Sequence, residues 1–233
     1  MLRRALFARD PDAILRSRDR KGTLGRAMTI STWAVAIRFY ALFIGWYRNW
    51  RGALSDREVE ALMAPILAAN PALEARGDAG VRKDFLAGDD GREFFMLSLV
   101  KLSPAPVPDP ATGALRPARD GLGDYTKRVV GALMRRAGHP AFVARKAGAD
   151  VDARGHAPDP DWAIVGLMRY RSRRDLAELV ADRRFAGAHA SKIAAIPATV
   201  SFPMPPLAML MAGPAPAVGL IIALLAALAE IAI

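Results

Sequence analysis

Residues 207–229 form a run of 23 positions without one charge, and this run constrains the chain more than any other feature. A helix of that length, rising about 1.5 Å per residue, reaches across a hydrocarbon core of about 30 Å. Pro214 and Pro216 weaken the first half of the run, while residues 218–229 are almost entirely Leu, Ile and Ala. Pro203, Pro205 and Pro206 mark a hard stop before it, because proline cannot continue a helix or donate to a sheet. A segment apolar all round, following a complete domain, predicts a C-terminal transmembrane helix within residues 206–233.

A second apolar stretch, residues 29–47, carries Arg38 at its middle. Wound as a helix, it places Ser31, Ala34, Arg38, Ala41, Gly45 and Arg48 on one small or polar stripe. Trp33, Ile37, Tyr40, Phe43, Ile44 and Tyr47 make a broad aromatic and aliphatic face. An arginine at the bilayer centre costs about 2.5–3.5 kcal/mol on insertion scales. A helix lying in the interface avoids that cost, and its aromatics suit the headgroup depth. The other reading is a true span whose small stripe packs on the C-terminal helix; the interfacial reading is favoured. The basic segment before it is long and no small-x-small cleavage site follows, unlike a secretory signal.

Charge is distributed in blocks along the chain. Residues 1–28 hold eight Lys/Arg against three Asp, residues 55–93 nine Asp/Glu against five Lys/Arg, and residues 94–206 seventeen Lys/Arg against ten Asp/Glu. A basic arm and a basic domain suit an anionic membrane surface, so membrane lipid is the expected partner. Nucleic acid is not, since zinc-finger spacing, a helix-turn-helix signal and an RNA-binding aromatic–glycine run are all missing. The chain contains no cysteine, which excludes disulfides, thiolate metal sites and a cysteine nucleophile. Three widely spaced histidines give no zinc-type spacing, so no metal is expected.

Between the apolar ends, four divisions are expected. Residues 1–54 are a basic arm with the amphipathic helix, and 55–93 a helical connector or lid. Residues 94–205 form an α+β domain, and 206–233 the anchor. Ser55 followed by Glu58 is a capping box opening a helix with Val59, Leu62, Met63 and Ile66 at helical spacing; Pro65 should kink or shorten it. FFMLSLVKL at 94–102 reads as a strand, followed by a proline-rich loop over 104–117. A helix is predicted over 123–136, stopped by Gly138-His139-Pro140. Strands are predicted at 141–148 and 162–170, and Ser172 with Asp175 caps a helix. A further helix over 183–195 and a strand at 199–202 complete a β-α-β-β-α-β order. One face of such a sheet is covered by two helices, and the other requires a partner.

These same residues carry a resemblance. The opening strand, Tyr125 early in the first helix, Arg169, Tyr170 and Ser172 ending the third strand, and Asp182, Phe185, His189 and Lys192 on the following helix are similar to a DUF1330-type member of the dimeric α+β barrel superfamily. The resemblance covers residues 94–205 and implies a ferredoxin-like fold whose sheets pair into a homodimer. The superfamily includes cofactor-free monooxygenases, isomerases, haem enzymes and members without known chemistry. The proline-rich insertion and the C-terminal anchor depart from the compact family pattern.

His189 falls on the helix matching the family's histidine-bearing tail, where a general base or haem ligand is conceivable. Arg169 alternates with Ala163, Val165 and Leu167 on one strand face and could bind an anionic or carbonyl ligand beside Tyr125 and Tyr170. The plainer alternatives are a structural histidine on a helix flank and a strand-end arginine paired with a carboxylate. His139 reads as a cation at a helix end, and His156 as a solvated loop residue. His189, Arg169 and Tyr125 are therefore the candidate catalytic residues, and the cofactor is unknown. The expected function is a membrane-anchored binding, scaffolding or accessory protein of a bacterial-type inner membrane. Its soluble domain is expected to be cytoplasmic, with a homodimer or a membrane protein partner. The alternative is a cofactor-free oxygenase or isomerase acting on a hydrophobic, membrane-borne substrate.

Overall fold

The computed structural model describes residues 11–69, 78–152, 154–155, 161–182, 186–208 and 213–232, with backbone alone at 11–27, 69 and 186–190. It is a mixed α+β structure with an antiparallel four-stranded sheet and, among the described residues, seven helices. The chain divides into two compact units, Met1–Ile44 with Ala212–Ile233, and Gly45–Met211.

The first unit is built from helix α1 (Pro11–Tyr47), whose last three residues belong to the second unit, and helix α7 (Pro214–Ile231). Met28–Tyr47 and Pro214–Ile231 are each long and apolar enough to cross a membrane. Pro214 does not weaken α7 but starts it, at a first-turn position where a missing N–H costs nothing. The two helices meet at Tyr40, which donates its hydroxyl to the carbonyl of Ala215 at 3.4 Å. A Cβ on Gly219 would lie 3.2 Å from the Tyr40 ring, a tight approach that the small residue at this crossing relieves. The small stripe expected on α1 is not its packed side: Ala36 is buried and Arg38 is exposed. The reason is steric, because the small residue at the contact is Gly219 and the large one is Tyr40.

The second unit contains α2 (Asp56–Ala69), α3 (Asp78–Ala87), β1 (Phe94–Lys101), β2 (Val107–Pro108), β3 (Leu115–Arg116) and α4 (Ala118–Arg135). They are followed by β4 (His139–Arg145), β5 (Ile164–Tyr170), α5 (Arg173–Val180), α6 (Ala186–Ala195) and β6 (Ala198–Met204). The sheet order is β4-β5-β1-β6, and every neighbouring pair is antiparallel. Period-two alternation divides its side chains cleanly. Phe94, Met96, Ser98 and Val100 oppose Tyr170, Met168, Gly166 and Ile164 on one face. Phe95, Leu97 and Leu99 oppose Arg169, Leu167 and Val165 on the other.

The first face is covered. Phe94 and Tyr170 pack with Ala132 and Leu133 of α4 and Leu179 of α5 in one buried cluster. The second face is open and apolar, with Phe142 of β4 and Val200 and Phe202 of β6 exposed beside Leu97 and Leu167. Proline at position 203 is tolerated because β6 is an edge strand.

Several local expectations are corrected. Residues 55–93 are not a separate connector: Leu54, Val59, Met63 and Ile66 of the α2 region and Leu86 of α3 share a core with Ala177 of α5. The capping box forms as predicted, with Glu58 accepting from the Ser55 N–H at 2.9 Å, and the same carboxylate pairs with buried Arg174. Pro65 lies on the exposed side of α2, which continues past it to Ala69. The proline-rich insertion holds the small β2–β3 hairpin, and α4 begins at Ala118 rather than Gly123.

The end of α4 also differs from expectation. The left-handed residue there is Ala137, at φ 58°, and not Gly138. Ala137 N–H donates to Met134 and Gly138 N–H to Leu133, the paired bonds of a Schellman stop. Gly138 is needed for space, since a Cβ there would stand 2.7 Å from the Arg169 carbonyl oxygen.

Candidate functional site

Arg169 lies on the open face of β5, opposite Phe95 on one side and His139 on the other. Its side chain is only 3% exposed. Nε donates to Glu93 Oε2 at 2.7 Å and Nη2 reaches the same oxygen at 2.5 Å. Nη1 donates to the Ala137 carbonyl at 2.5 Å, and Nη2 to the Tyr47 carbonyl at 3.3 Å. The guanidinium also stacks 3.8 Å above the Tyr47 ring, whose hydroxyl meets His139 Nε2 at 3.1 Å. Two positions on, Arg171 donates to the Trp46 carbonyl at 2.9 Å and grips Asp175. Two strand-end arginines thus take carbonyls from the last turn of α1, where a helix leaves acceptors unpaired and its dipole favours cations. A guanidinium has five N–H donors, and this one is committed to a carboxylate, two carbonyls and a ring. It acts as a staple.

The covered face carries a different set of polar groups. At Gly121 a Cβ would lie 3.7 Å from Ala195 Cβ and from the Ser191 carbonyl, so α4 and α6 approach closely there. One turn further along α4, Tyr125 meets α6 through Lys192, whose Nζ lies 5.4 Å from the ring centroid. Tyr170, on the neighbouring strand, stacks on Phe94 with centroids 5.2 Å apart. Burial pushes the Tyr125 hydroxyl above its ordinary pKa. Burial, and then the charge of a neighbouring Tyr125 phenolate, do the same for Tyr170. Both phenols are therefore neutral hydrogen-bond donors at ordinary pH. Lys192 is pushed the other way, first by burial and then by the Arg82 charge.

The expected trio is not assembled in one place. Tyr125 belongs to the helix-covered face and Arg169 to the open one, with the sheet between them. The backbone of His189 lies in α6, but its side chain is outside the described residues, and so is the whole of His156. His139 is not a helix cap: it opens β4 and faces Tyr47, with its rings stacked at 6.2 Å. Among the described residues there is no group of three or more metal-ligating side chains. Tyr47 and Glu93, the partners of Arg169, were not visible as such in the sequence. The ion pair spans 76 positions, and no local spacing encodes it.

Two crystal structures match part of the chain. The chain is similar to the RPA0582 protein. In its methylated form that protein is 22% identical, with a TM-score of 0.45, and the match covers 57% of this chain and 93% of the other. A second structure, of RPA0582 from Rhodopseudomonas palustris and described as of unknown function, is also 22% identical at a TM-score of 0.45, covering 56% and 94%. No family model matches the sequence, and no functionally curated protein does.

Proposed function

We propose that this is a membrane-anchored, self-pairing ferredoxin-like protein of the DUF1330-like dimeric α+β barrel type, with a binding or accessory role. The observation that carries this reading is the open sheet face, where Phe142, Val200 and Phe202 remain 49%, 46% and 42% exposed. A contiguous apolar patch of this kind is uncommon on a stable monomer, and a second copy stacking face to face would bury it. The β-α-β-β-α-β succession of β1, α4, β4, β5, α5 and β6, with sheet order β4-β5-β1-β6, supports the ferredoxin-like assignment. The commitment of Arg169 to Glu93 supports a structural rather than a catalytic part for that residue.

The anchor in this reading is α7, with α1 from Met28 onward lying in the interface or beside it. The domain sits on the cytoplasmic side of a bacterial-type inner membrane, supported by Arg183, Arg184 and Lys192 on the side of α7 that faces the domain. The test is molar mass in mild detergent, by light scattering on the full chain. A dimer is expected, and Leu167→Asp on the open face should give a monomer with unchanged far-ultraviolet circular dichroism. A monomeric wild type, or a dimeric Leu167→Asp protein, overturns the proposal.

A further inference from the structure

Helix α1 does not leave its last carbonyls to water. An α-helix closes on carbonyls that have no partner inside the helix. Here side chains take the last three of them. Trp50 Nε1 donates to the Gly45 carbonyl at 3.1 Å, Arg171 to the Trp46 carbonyl at 2.9 Å and Arg169 to the Tyr47 carbonyl at 3.3 Å. Every one of these residues lies within Gly45–Met211, so the sheet unit itself closes the helix. In bulk water a helix end needs no such help, because water donates to its carbonyls. Where water is scarce an unpaired carbonyl is costly, and the three caps fit a helix end placed there.

The side chains around this end are of two kinds. Trp46 and Trp50 keep 45% and 69% of their surface exposed, yet both indole N–H groups are turned onto backbone. That of Trp50 meets Gly45, and that of Trp46 points at the Arg135 carbonyl at 3.5 Å. What the two indoles present outward is apolar ring. Arg48 stands between them in sequence and Arg135 beside Trp46, and both arginines are exposed. Arg51 is turned toward Glu58 and Glu178, at 4.0 and 3.7 Å, and takes a lesser part. Exposed indoles flanked by arginines are the composition of a membrane–water boundary, where the rings settle at headgroup depth and guanidinium groups meet phosphates. Chain continuity places them there, since the patch begins in the last turn of the apolar stretch Met28–Tyr47.

We infer that Trp46, Arg48, Trp50 and Arg135 form a collar that binds anionic phospholipid headgroups and seats the end of α1 at headgroup depth. The inference rests on the membrane reading above and adds the lipid class and the residues that select it. It holds whether α1 spans the bilayer or lies along it, because either path brings residues 46–50 to the boundary. The capped helix end lets the rings enter without stranding a carbonyl. The rings alone would accept a zwitterionic surface equally well. The two arginines turn that tolerance into a preference for lipids of net negative charge.

The experiment titrates brominated phosphatidylglycerol or brominated phosphatidylcholine into the full chain in maltoside micelles and follows the quenching of tryptophan fluorescence. The difference between wild type and Trp50→Phe isolates the collar, and that between wild type and Trp33→Phe isolates the apolar stretch of α1. At Trp50, phosphatidylglycerol should reach half-quenching at roughly 20-fold lower lipid than phosphatidylcholine, the product of two arginines near a charged surface at about 5-fold each. Arg48→Gln and Arg135→Gln should each reduce the preference about 5-fold, and added salt should weaken it. Lys127→Gln, two turns earlier on the exposed side of α4, should leave it unchanged. Equal quenching of Trp50 by the two lipids, or as large a loss from Lys127→Gln as from Arg135→Gln, would overturn the collar while Trp33 still reports membrane contact. No quenching at either Trp33 or Trp50 would overturn the membrane reading with it.

Discussion

Arg169 and Lys192 are cations of the same sheet unit, set on opposite faces, and the fold treats them in opposite ways. Arg169 meets Glu93, two backbone carbonyls and the Tyr47 ring. Lys192 meets one aromatic ring and the repulsion of Arg82. Arg174, on α5, follows the Arg169 pattern, with Glu58 brought to it by the α2 capping box. The contrast separates a buried charge from a partly exposed one. Where a carboxylate is built in, the cation ties secondary elements together and stability depends on it. Where the cation is partly exposed and meets an aromatic ring, water shares its solvation and little of the stability depends on it.

The contrast breaks most visibly at Arg169. Arg169→Met should destabilise the protein by about 3 kcal/mol, the lower end for breaking a buried pair. The value sits low because Glu93 is 37% exposed and can rehydrate, while the Ala137 and Tyr47 carbonyls lose their donor inside. Denaturant melts of the full chain measure it. Glu93→Gln should cost only about 1 kcal/mol, since a partly exposed carboxylate gains less from its partner than the arginine does. Equal losses for the two variants would mean that Glu93, and not the carbonyl staple, carries the effect.

Much of this scaffold was legible in the sequence, for physical reasons. Strands β1 and β5 announce themselves through continuous apolar residues, and Ser172 with Asp175 predicts a cap that forms, the Asp175 N–H donating to Ser172 Oγ at 3.1 Å. Local rules read local bonds. They did not read the β2–β3 hairpin, whose two-residue strands are too short to show a period. They also placed α2 outside the domain, because its apolar stripe has no label for the α5 surface it covers. The candidate site was less legible. Arg169 and Tyr125 were named from the sequence as candidates for one site, but alternation along β5 sets the strand face, and the covering helices decide which face Tyr125 sees. Arg82 gave no signal, since an arginine on a short helix is ordinarily solvated.

Acid should act through Glu58 before it acts through the open face. The Arg174 hydrogen bond, then the Ser55 N–H and hydroxyl, lower the Glu58 pKa from 4.5 to about 2. A carboxyl whose folded value is depressed adds stability above its unfolded value and loses it as pH falls toward the folded one. The loss should begin below about pH 4.5 and finish near pH 2. Glu58→Gln should be less stable at neutral pH and show a flatter acid limb in thermal melts between those values. An unchanged acid limb would mean that α2 does not hold Arg174 in solution.

On the other side of the comparison the sign reverses. Lys192→Met should stabilise the protein by about 1 kcal/mol at most, because partial burial and the Arg82 charge disfavour the ammonium and an apolar side chain of similar length keeps the packing. Chemical denaturation measures it, and a destabilised variant would mean that the ammonium and the Tyr125 ring hold α4 and α6 together.

The smallest effect concerns the backbone that Arg169 holds. Ala137 occupies the left-handed region at φ 58°, where a side chain costs roughly 1 kcal/mol relative to glycine. It stays there because the Schellman bonds from Ala137 and Gly138 close α4, and because its carbonyl accepts from Arg169 at 2.5 Å. Ala137→Gly removes the steric cost and leaves both bonds intact, but it also frees the unfolded chain, which offsets part of the gain. A net stabilisation of about 0.5 kcal/mol is expected from denaturant midpoints. In the Arg169→Met background the same substitution should gain more, because the guanidinium no longer compensates the strain. If the two substitutions are strictly additive instead, the carbonyl bond contributes nothing to holding Ala137, and Arg169 acts through Glu93 and Tyr47 alone.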